Sequence, residues 1–511
     1  MKLKSNILKF SLFATGLSGI VAEYILSTLA TYFLGDSVFQ WTMIVSIMLF
    51  SMGLGSRISK YFKTNLLRSF LYIEFLLSVL VSFSSLFVYS ASAFSIYTGL
   101  IIYTLSISIG ILIGMEIPIV VRLNDEFETL RINVSSVMEK DYYGALVGGL
   151  FFAFFGLPYL GLTYTPFVLG IVNFTVALLL YFLLWKQIQK KILINFLAIS
   201  IGLLIVIGIY FSQPVILWGE QVKYKDKVVY SEQSKYQKIV ITQWQDNYWL
   251  FLNGNQQFCT LDEVMYHEPL VHPAMKLLVE PSHVLILGGG DGCAVREVLK
   301  YNSVKNIKLV DLDPSMTELS LNHHVLLKAN DSSLHSPKVQ VLNNDAYNFL
   351  ENNTEFFDII IIDLPDPRTV ELNRLYTFEF YKKCYKYLRP NGVIVTQAGS
   401  PYYATKAYKC IEKTLQYSGF STVPIHNQIL TLGEWGWIIG QKIESDNNIK
   451  NHLQNISFED VETKWLNKEA MKLMTSFGKD IFSNSIDSIE INKIHNPVLY
   501  KYYLKGNWSI Y

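Results

Sequence analysis

Cysteine is scarce in this chain of 511 residues, which holds four: Cys259, Cys293, Cys384 and Cys410. They form no Cys-x-x-Cys pair and no metal-like spacing, so a disulfide framework and a cysteine zinc site are excluded. Four ordinary thiols of a reducing compartment remain. Net charge is nearly absent too, since 43 Lys and Arg against 42 Asp and Glu leave +1 at pH 7. No overall field favours nucleic acid or an acidic partner. Charge is thinnest before about residue 213, where long apolar runs lift the hydrophobic content of the whole chain to 51%. Those runs continue far beyond a signal peptide's apolar core and read as integral to a membrane, not as a cleaved leader.

Seven stretches approach or exceed the ~20 apolar residues that cross a bilayer. They lie near 8–34, 39–56, 69–92, 95–121, 143–163, 165–185 and 192–212. Glu23 and Glu116 stand inside them, and an acid at that depth usually faces a bundle interior, as part of a polar pathway or in a structural hydrogen bond. Basic residues gather at Lys2, Lys4 and Lys9, at Arg57, Lys60, Lys63 and Arg68, at 122–140, and at Lys186, Lys190 and Lys191. The positive-inside rule puts these segments in the cytoplasm. Seven spans would then place everything after residue 213 outside, whereas Lys223, Lys225 and Lys227 favour the cytoplasmic side. Topology stays open at this point.

From Lys238 the period changes to that of strands. KIVITQW and NYWLFLNGNQQF alternate, with Asn253-Gly254 as a hairpin turn. A polar segment, Cys259 to Glu268, then leads into a helix. The stretch that organises the second half is HVLILGGGDGCAVREVLKY, His283 to Tyr301. An apolar strand runs into Gly288, Gly289, Gly290, Asp291 and Gly292, and then into a segment of helical spacing. Such a turn lets a nucleotide-type ligand approach backbone N–H groups at a helix start. Three further strands end in acid: Ile307–Val310 before Asp311-Leu312-Asp313, Val339–Leu342 before Asn344-Asp345, and Asp358–Ile362 before Asp363-Leu364-Pro365-Asp366-Pro367. Any one of these aspartates reads as a helix cap or turn former. Four in succession at strand C-termini, the edge where open α/β sheets bind ligands, point to one shared site. With later strands at Gly392–Gln397, Ser421–Ile425 and Gly436–Ile439, about seven strands make a doubly wound sheet of methyltransferase type.

With these motifs, and with LNGNQQFCTLDEVMYHE before them, residues 220–440 resemble the spermidine synthase (polyamine aminopropyltransferase) family. The whole chain is similar to its membrane-fused bacterial members. The resemblance implies a multi-span α-helical membrane domain (1–213), a β-rich hairpin part (214–275), a Rossmann-like catalytic domain (276–444) and a mainly helical extension (445–511). It implies transfer of an aminopropyl group from decarboxylated S-adenosylmethionine to a diamine such as putrescine, with release of methylthioadenosine and no further cofactor or metal. Carried over, Gly288 and Gly290 lie beneath the sulfonium nucleoside and Gln257 lies near it. Asp291 sits beside its aminopropyl end, Asp311 on the ribose and Asp345 on the adenine amino group. Asp363 becomes the catalytic carboxylate, and Asp366, Tyr266 and Asp262 hold or line the amine.

His267 stands where many members carry Gln. Leu364-Pro365 replaces small hydroxylated residues, and Arg368-Thr369-Val370 replaces a Gly-Pro-Ala-like run. These departures bear on the amine more than on the nucleoside. The bland readings are a core position for Trp437, a polar helix residue for His267 and a small loop residue for Cys293. Implied partners are a small amine, a sulfonium nucleoside and the lipid bilayer, with no nucleic acid and a homo-oligomer left open. The implied place is the cell membrane, with the catalytic part cytoplasmic. Two other readings remain at this stage, an S-adenosylmethionine methyltransferase and a non-catalytic polyamine transporter or sensor.

Overall fold

A computed structural model describes residues 2–35, 37–94, 97–125, 127–188, 191–443, 448–478 and 488–508. Lys190 of the basic clusters lies outside the described residues. The chain divides into two compact units, Met1–Thr242 and Gln243–Tyr511.

The first unit is helical: α1 (Lys2–Leu34), α2 (Ser37–Ser59), α3 (Leu66–Ser82), α4 (Ser84–Phe94), α5 (Thr98–Asn124), α6 (Leu130–Phe151), α7 (Gly161–Leu183) and α8 (Lys191–Lys223). A π-helical segment, Phe152–Leu160, joins α6 to α7 and ends at Gly161, whose φ of +59° breaks the helical path. Among the described residues, five helices are long and apolar enough to cross a membrane, with Leu130–Leu183 counted as one; α3 and α4, bent by 46°, make a sixth if taken together. The expected stretch 143–163 falls within Leu130–Leu183, and 165–185 overlaps it through Leu183. Helix α1 is the centre of the bundle and α8 its periphery, since 72% of the apolar window of α1 is buried against 22% for α8.

Helix backbones touch where glycine allows it. A Cβ on Gly114 would lie 2.0 Å from the Met52 carbonyl oxygen, and one on Gly144 would lie 2.0 Å from that of Phe13. Small residues at such crossings let helices approach closely enough for extensive van der Waals contact. Glu23, Glu74 and Glu116 are all buried within the bundle. The unit extends beyond the expected boundary near 213 because α8 continues through Pro214 to Lys223 and is followed by β1 (Lys227–Gln233). Strand β2 (Lys238–Trp244) ends just past the division.

The second unit opens with the hairpin of β3 (Asn247–Leu252) and β4 (Asn255–Cys259). Asn253 and Gly254 take φ of +50° and +77°, as an Asn-Gly turn between twisted strands demands. Then come α9 (Val264–Lys276), β5 (His283–Gly288), α10 (Cys293–Leu299), β6 (Asn306–Asp311), α11 (Pro314–Asn322), α12 (His324–Ala329), β7 (Val339–Asn343), α13 (Ala346–Asn352) and β8 (Phe357–Asp363). The rest is α14 (Val370–Asn373), α15 (Phe378–Tyr387), β9 (Leu388–Gly399), α16 (Thr405–Tyr417), β10 (Ser421–Ile429), β11 (Gly433–Gln441), α17 (Ile449–Asn455), α18 (Lys468–Met474) and α19 (Leu499–Leu504).

Seven strands form one sheet in the order β10-β11-β9-β8-β5-β6-β7. Strands β5 to β9 pair in parallel, while β10 and β11 add an antiparallel edge. The central strands are apolar throughout because both their faces are covered. Alternation splits them cleanly: Val284, Ile286, Ile359 and Ile361 enter one core, and Leu285, Leu287, Ile360 and Ile362 enter the other.

Helix α9 carries Pro269 and Pro273 in its interior. Proline at 269 cannot bond the Met265 carbonyl one turn back, and the Asn427 side-chain amide donates to that oxygen instead (2.8 Å). The C-terminal extension differs from the mainly helical expectation. Its described helices α17, α18 and α19 have only 7, 7 and 6 residues, and the chain between α17 and α18 is irregular and fixed by side-chain ties. Glu268, fully buried on α9, accepts backbone N–H groups of Lys464 (2.6 Å), Trp465 (3.0 Å) and Leu466 (2.7 Å).

Glu268→Ala would strand these three donors, each worth ~1–3 kcal/mol when buried without an acceptor. We expect a loss of about 3 kcal/mol in guanidinium unfolding, and a smaller loss for Glu268→Gln, which keeps one carbonyl oxygen. An unchanged midpoint would mean that packing alone holds 464–466.

Candidate active site

Strand β5 pairs with β6 on one side and β8 on the other, so its C-terminal end lies where the strand order reverses, the position of ligand crevices in open α/β sheets. The register there sets Gly288 directly beside Asp363. A Cβ on Gly288, at φ +81°, would meet the Asp363 carbonyl oxygen at 2.0 Å, and the Gly289 N–H donates to that same oxygen at 2.9 Å. The glycine turn and the end of β8 are thus one joint.

On the other flank the Gly290 N–H donates to Asp311 Oδ2 (3.1 Å), while Asp311 Oδ1 accepts the Asp313 N–H (2.9 Å). Asp291, the first side chain past the turn, accepts the Cys293 N–H at Oδ1 (2.7 Å). From α9 the Tyr266 hydroxyl donates to Asp363 Oδ1 (2.8 Å). Gly288, Gly290, Asp291, Asp311, Asp363 and Tyr266 therefore meet at one edge of the sheet.

His267 joins them. Its Nε2 lies 3.9 Å from Asp291 Oδ1, and its Nδ1 lies 2.8 Å from Glu263 Oε2. Arg296 binds both Glu263 oxygens, at 2.8 and 2.9 Å. Burial alone would lower the His267 pKa, but the Glu263 hydrogen bond and the Asp291, Glu263 and Asp363 carboxylates overcome it and raise it to about 9. His267 is accordingly an imidazolium at neutral pH. For Asp363, burial and then Asp291 raise the pKa to about 6, with His267 and Tyr266 pulling against them. Burial also raises Asp311 to about 6 against its two backbone donors. Two groups of side chains have ligand-like spacing, Glu263–His267–Cys293 and His267–Asp291–Asp363.

Other expected residues have different partners. Both Asp262 oxygens are held by Thr431, from its N–H (2.7 Å) and its hydroxyl (3.0 Å), and the residue is buried. Asp262 thus ties the start of α9 to the β10–β11 turn. Asp345 caps α13 through the Asn348 N–H (3.0 Å) and pairs with Arg374. The Gln257 amide donates to Asn255 O and Gln256 O near its own strand. Trp437 is fully buried, and its ring meets that of Tyr266 edge-on at 5.3 Å. Asp366 accepts from Tyr503, Arg368 and Gln397. The Glu263–Arg296 pair, Gln397 and Tyr503 were not foreseen. Glu263 could have been suspected from its i, i+4 spacing to His267, but Tyr503 carries no sequence signal linking it to Asp366.

Residues 263–453 match the model of the spermine/spermidine synthase domain. Polyamine aminopropyltransferase 2 of Aquifex aeolicus is 41% identical over 98% of this chain and 99% of its own. The polyamine aminopropyltransferase of Oceanobacillus iheyensis is 38% identical over 99% of this chain and 98% of its own. The crystal structure of spermidine synthase from Thermotoga maritima is 29% identical, covers 50% of this chain and 86% of that one, and has a TM-score of 0.45. Identity of this order along nearly the whole length identifies the chain as an enzyme of the polyamine aminopropyltransferase family.

Proposed function

We propose that this protein transfers an aminopropyl group from decarboxylated S-adenosylmethionine to a diamine such as putrescine, releasing methylthioadenosine, with Asp363 as the base. The observation that carries this reading is the joint between Asp363 and the glycine turn, which sets a basic carboxylate beside the loop where the nucleoside would lie. Asp311 serves the ribose, Asp291 the aminopropyl end and Asp345 the adenine, the last once its pair with Arg374 opens. Gln257 would approach the nucleoside by turning away from its own strand.

A free alkylamine is protonated at pH 7, with a pKa near that of Lys at ~10.4, and an ammonium has no lone pair for attack. The Tyr266 hydroxyl holds Asp363 Oδ1, which leaves Oδ2 to take the proton. The amine nitrogen then attacks the carbon next to the sulfonium. The N–C bond forms as the C–S bond breaks, and its electron pair stays on sulfur as a neutral thioether. Asp291 and Asp363 balance two cationic reactants, and the His267 imidazolium steadies that pair of carboxylates before substrate arrives. Holding donor carbon and amine in line contributes alongside proton transfer.

The helical unit, in this reading, anchors the enzyme in the cell membrane with the catalytic unit on the cytoplasmic face. Its support is the length and apolarity of the helices and the positive charge of Lys223, Lys225 and Lys227 at and after the end of α8. Protease added to inverted vesicles should cut the catalytic unit, and cleavage only in right-side-out vesicles would reverse the orientation.

Full-length protein given decarboxylated donor and putrescine should release methylthioadenosine, measured by chromatography. Turnover only with intact S-adenosylmethionine would replace this reading with methyl transfer. Asp363→Asn should lower kcat by ~10²–10⁴-fold; full activity in that variant would remove Asp363 from the mechanism. Because Asp363 acts ionised and its pKa is raised to about 6, kcat/KM for the amine should fall as pH drops below about 6. An acid limb near the ordinary carboxylate value, ~3.9, would show that burial does not set its basicity.

A further inference from the structure

We propose that Arg368 and Tyr503 determine which amines this site accepts, by engaging the Asp366 carboxylate that the far end of the amine would otherwise reach. This inference rests on the aminopropyl-transfer reading and concerns only its acceptor.

Asp366 follows the catalytic Asp363 by three residues, and Tyr266 and Tyr376 feel the charge of both carboxylates, so the two acids face one site. Asp366 Oδ2 accepts the Tyr503 hydroxyl at 2.5 Å and an Arg368 Nη2–H at 3.2 Å; Oδ1 accepts the Gln397 amide at 3.3 Å. Arg368 also donates to Asn255 Oδ1 on the β3–β4 hairpin, and its guanidinium lies 5.6 Å from the centre of the Tyr503 ring.

Tyr503 reaches this position from the far end of the chain. It is 2% exposed and lies under Trp508, ring to ring at 4.7 Å. Its segment is pinned by the buried Asn492, whose amide donates to Asn373 O (3.2 Å) and Tyr376 O (3.0 Å) and whose carbonyl accepts the Leu499 N–H (3.3 Å). The C-terminal extension thus contributes a wall to the active site. The Arg368 side chain is 41% exposed, against 13% for Asp366, so the guanidinium forms the outer lip.

The chemical consequence follows from charge. A diamine keeps one ammonium after the other has lost its proton to Asp363. That remaining cation would gain most from an uncompensated carboxylate, but Asp366 already has a guanidinium and two neutral donors. An amine long enough to pass Asp366 brings its cation against the like charge of Arg368. The site therefore selects short diamines over longer polyamines, and Arg368 and Tyr503 act as positioning residues through Asp366.

The test uses the full-length protein with 1,3-diaminopropane, putrescine, cadaverine and spermidine as acceptors. Arg368→Gln should raise kcat/KM for spermidine relative to putrescine about tenfold, through KM and not kcat, which is the size of one charge-assisted contact. Arg368→Lys, which keeps the charge, should keep the wild-type preference, and Tyr503→Phe should shift it in the same direction as Arg368→Gln by less. Calorimetric affinity for the donor reports whether each variant is folded. Calorimetric affinities for the amines themselves test the selection without turnover, so failure of the aminopropyl-transfer reading is distinguishable from failure of this one. An acceptor ratio unchanged in both Arg368→Gln and Tyr503→Phe, with donor binding intact, would overturn the proposal.

Discussion

The catalytic half of this protein depends on one backbone contact, the Gly289 N–H to the Asp363 carbonyl oxygen at 2.9 Å. It joins the turn after β5 to the last residue of β8, and the missing Cβ of Gly288 is what lets the two chains come so close. Everything the site needs hangs from that joint. Asp291 leaves the turn on one side, the Gly290 N–H fixes Asp311 on the other, and Asp363 projects from the strand whose carbonyl is clamped. A carboxylate at a strand end held on both sides loses little freedom when substrate binds, and that preorganisation is what group transfer between two bound reactants requires.

Charge is balanced in layers around that joint. Asp291 and Asp363 would repel in a setting where burial weakens hydration, and their repulsion is one cause of the raised Asp363 pKa. His267 lies between them as a fixed cation. It keeps its proton because Glu263 faces it, and Glu263 stays ionised because Arg296 and His267 outweigh its burial. The chain Arg296–Glu263–His267–Asp291 alternates in sign, so each inner member faces opposite charge on both sides.

The helical unit is built on a different constraint. Its helices approach where glycine removes the Cβ, as at Gly114 against Met52 and Gly144 against Phe13, and small residues there bring the helices into extensive van der Waals contact. Three buried glutamates, Glu23, Glu74 and Glu116, sit in that close-packed interior. The Glu74 carboxylate lies 3.5 Å from the Thr15 hydroxyl. Close helix crossings and buried acids together set this unit apart from a simple greasy stalk.

Amino-acid order by itself determined the strands, the turn and the acids at their ends. Apolar, β-branched runs of five or six residues closed by glycine or aspartate have the length and punctuation of buried strands, and the Asn253-Gly254 turn needs a positive φ that few other pairs tolerate. The positions of Asp363, Asp291 and Asp311 were legible for that reason, whereas Tyr266 was singled out only by the family resemblance. What a side chain does when several donors compete for it was decided by the tertiary structure. Asp262 and Asp345 stand at family positions, yet Thr431 and Arg374 hold them, and Tyr503 reaches Asp366 across 137 residues of chain. Local pattern encodes backbone geometry because its causes lie within a few residues. Partner choice has its causes in whichever distant segment packs alongside, and only the folded chain brings those together.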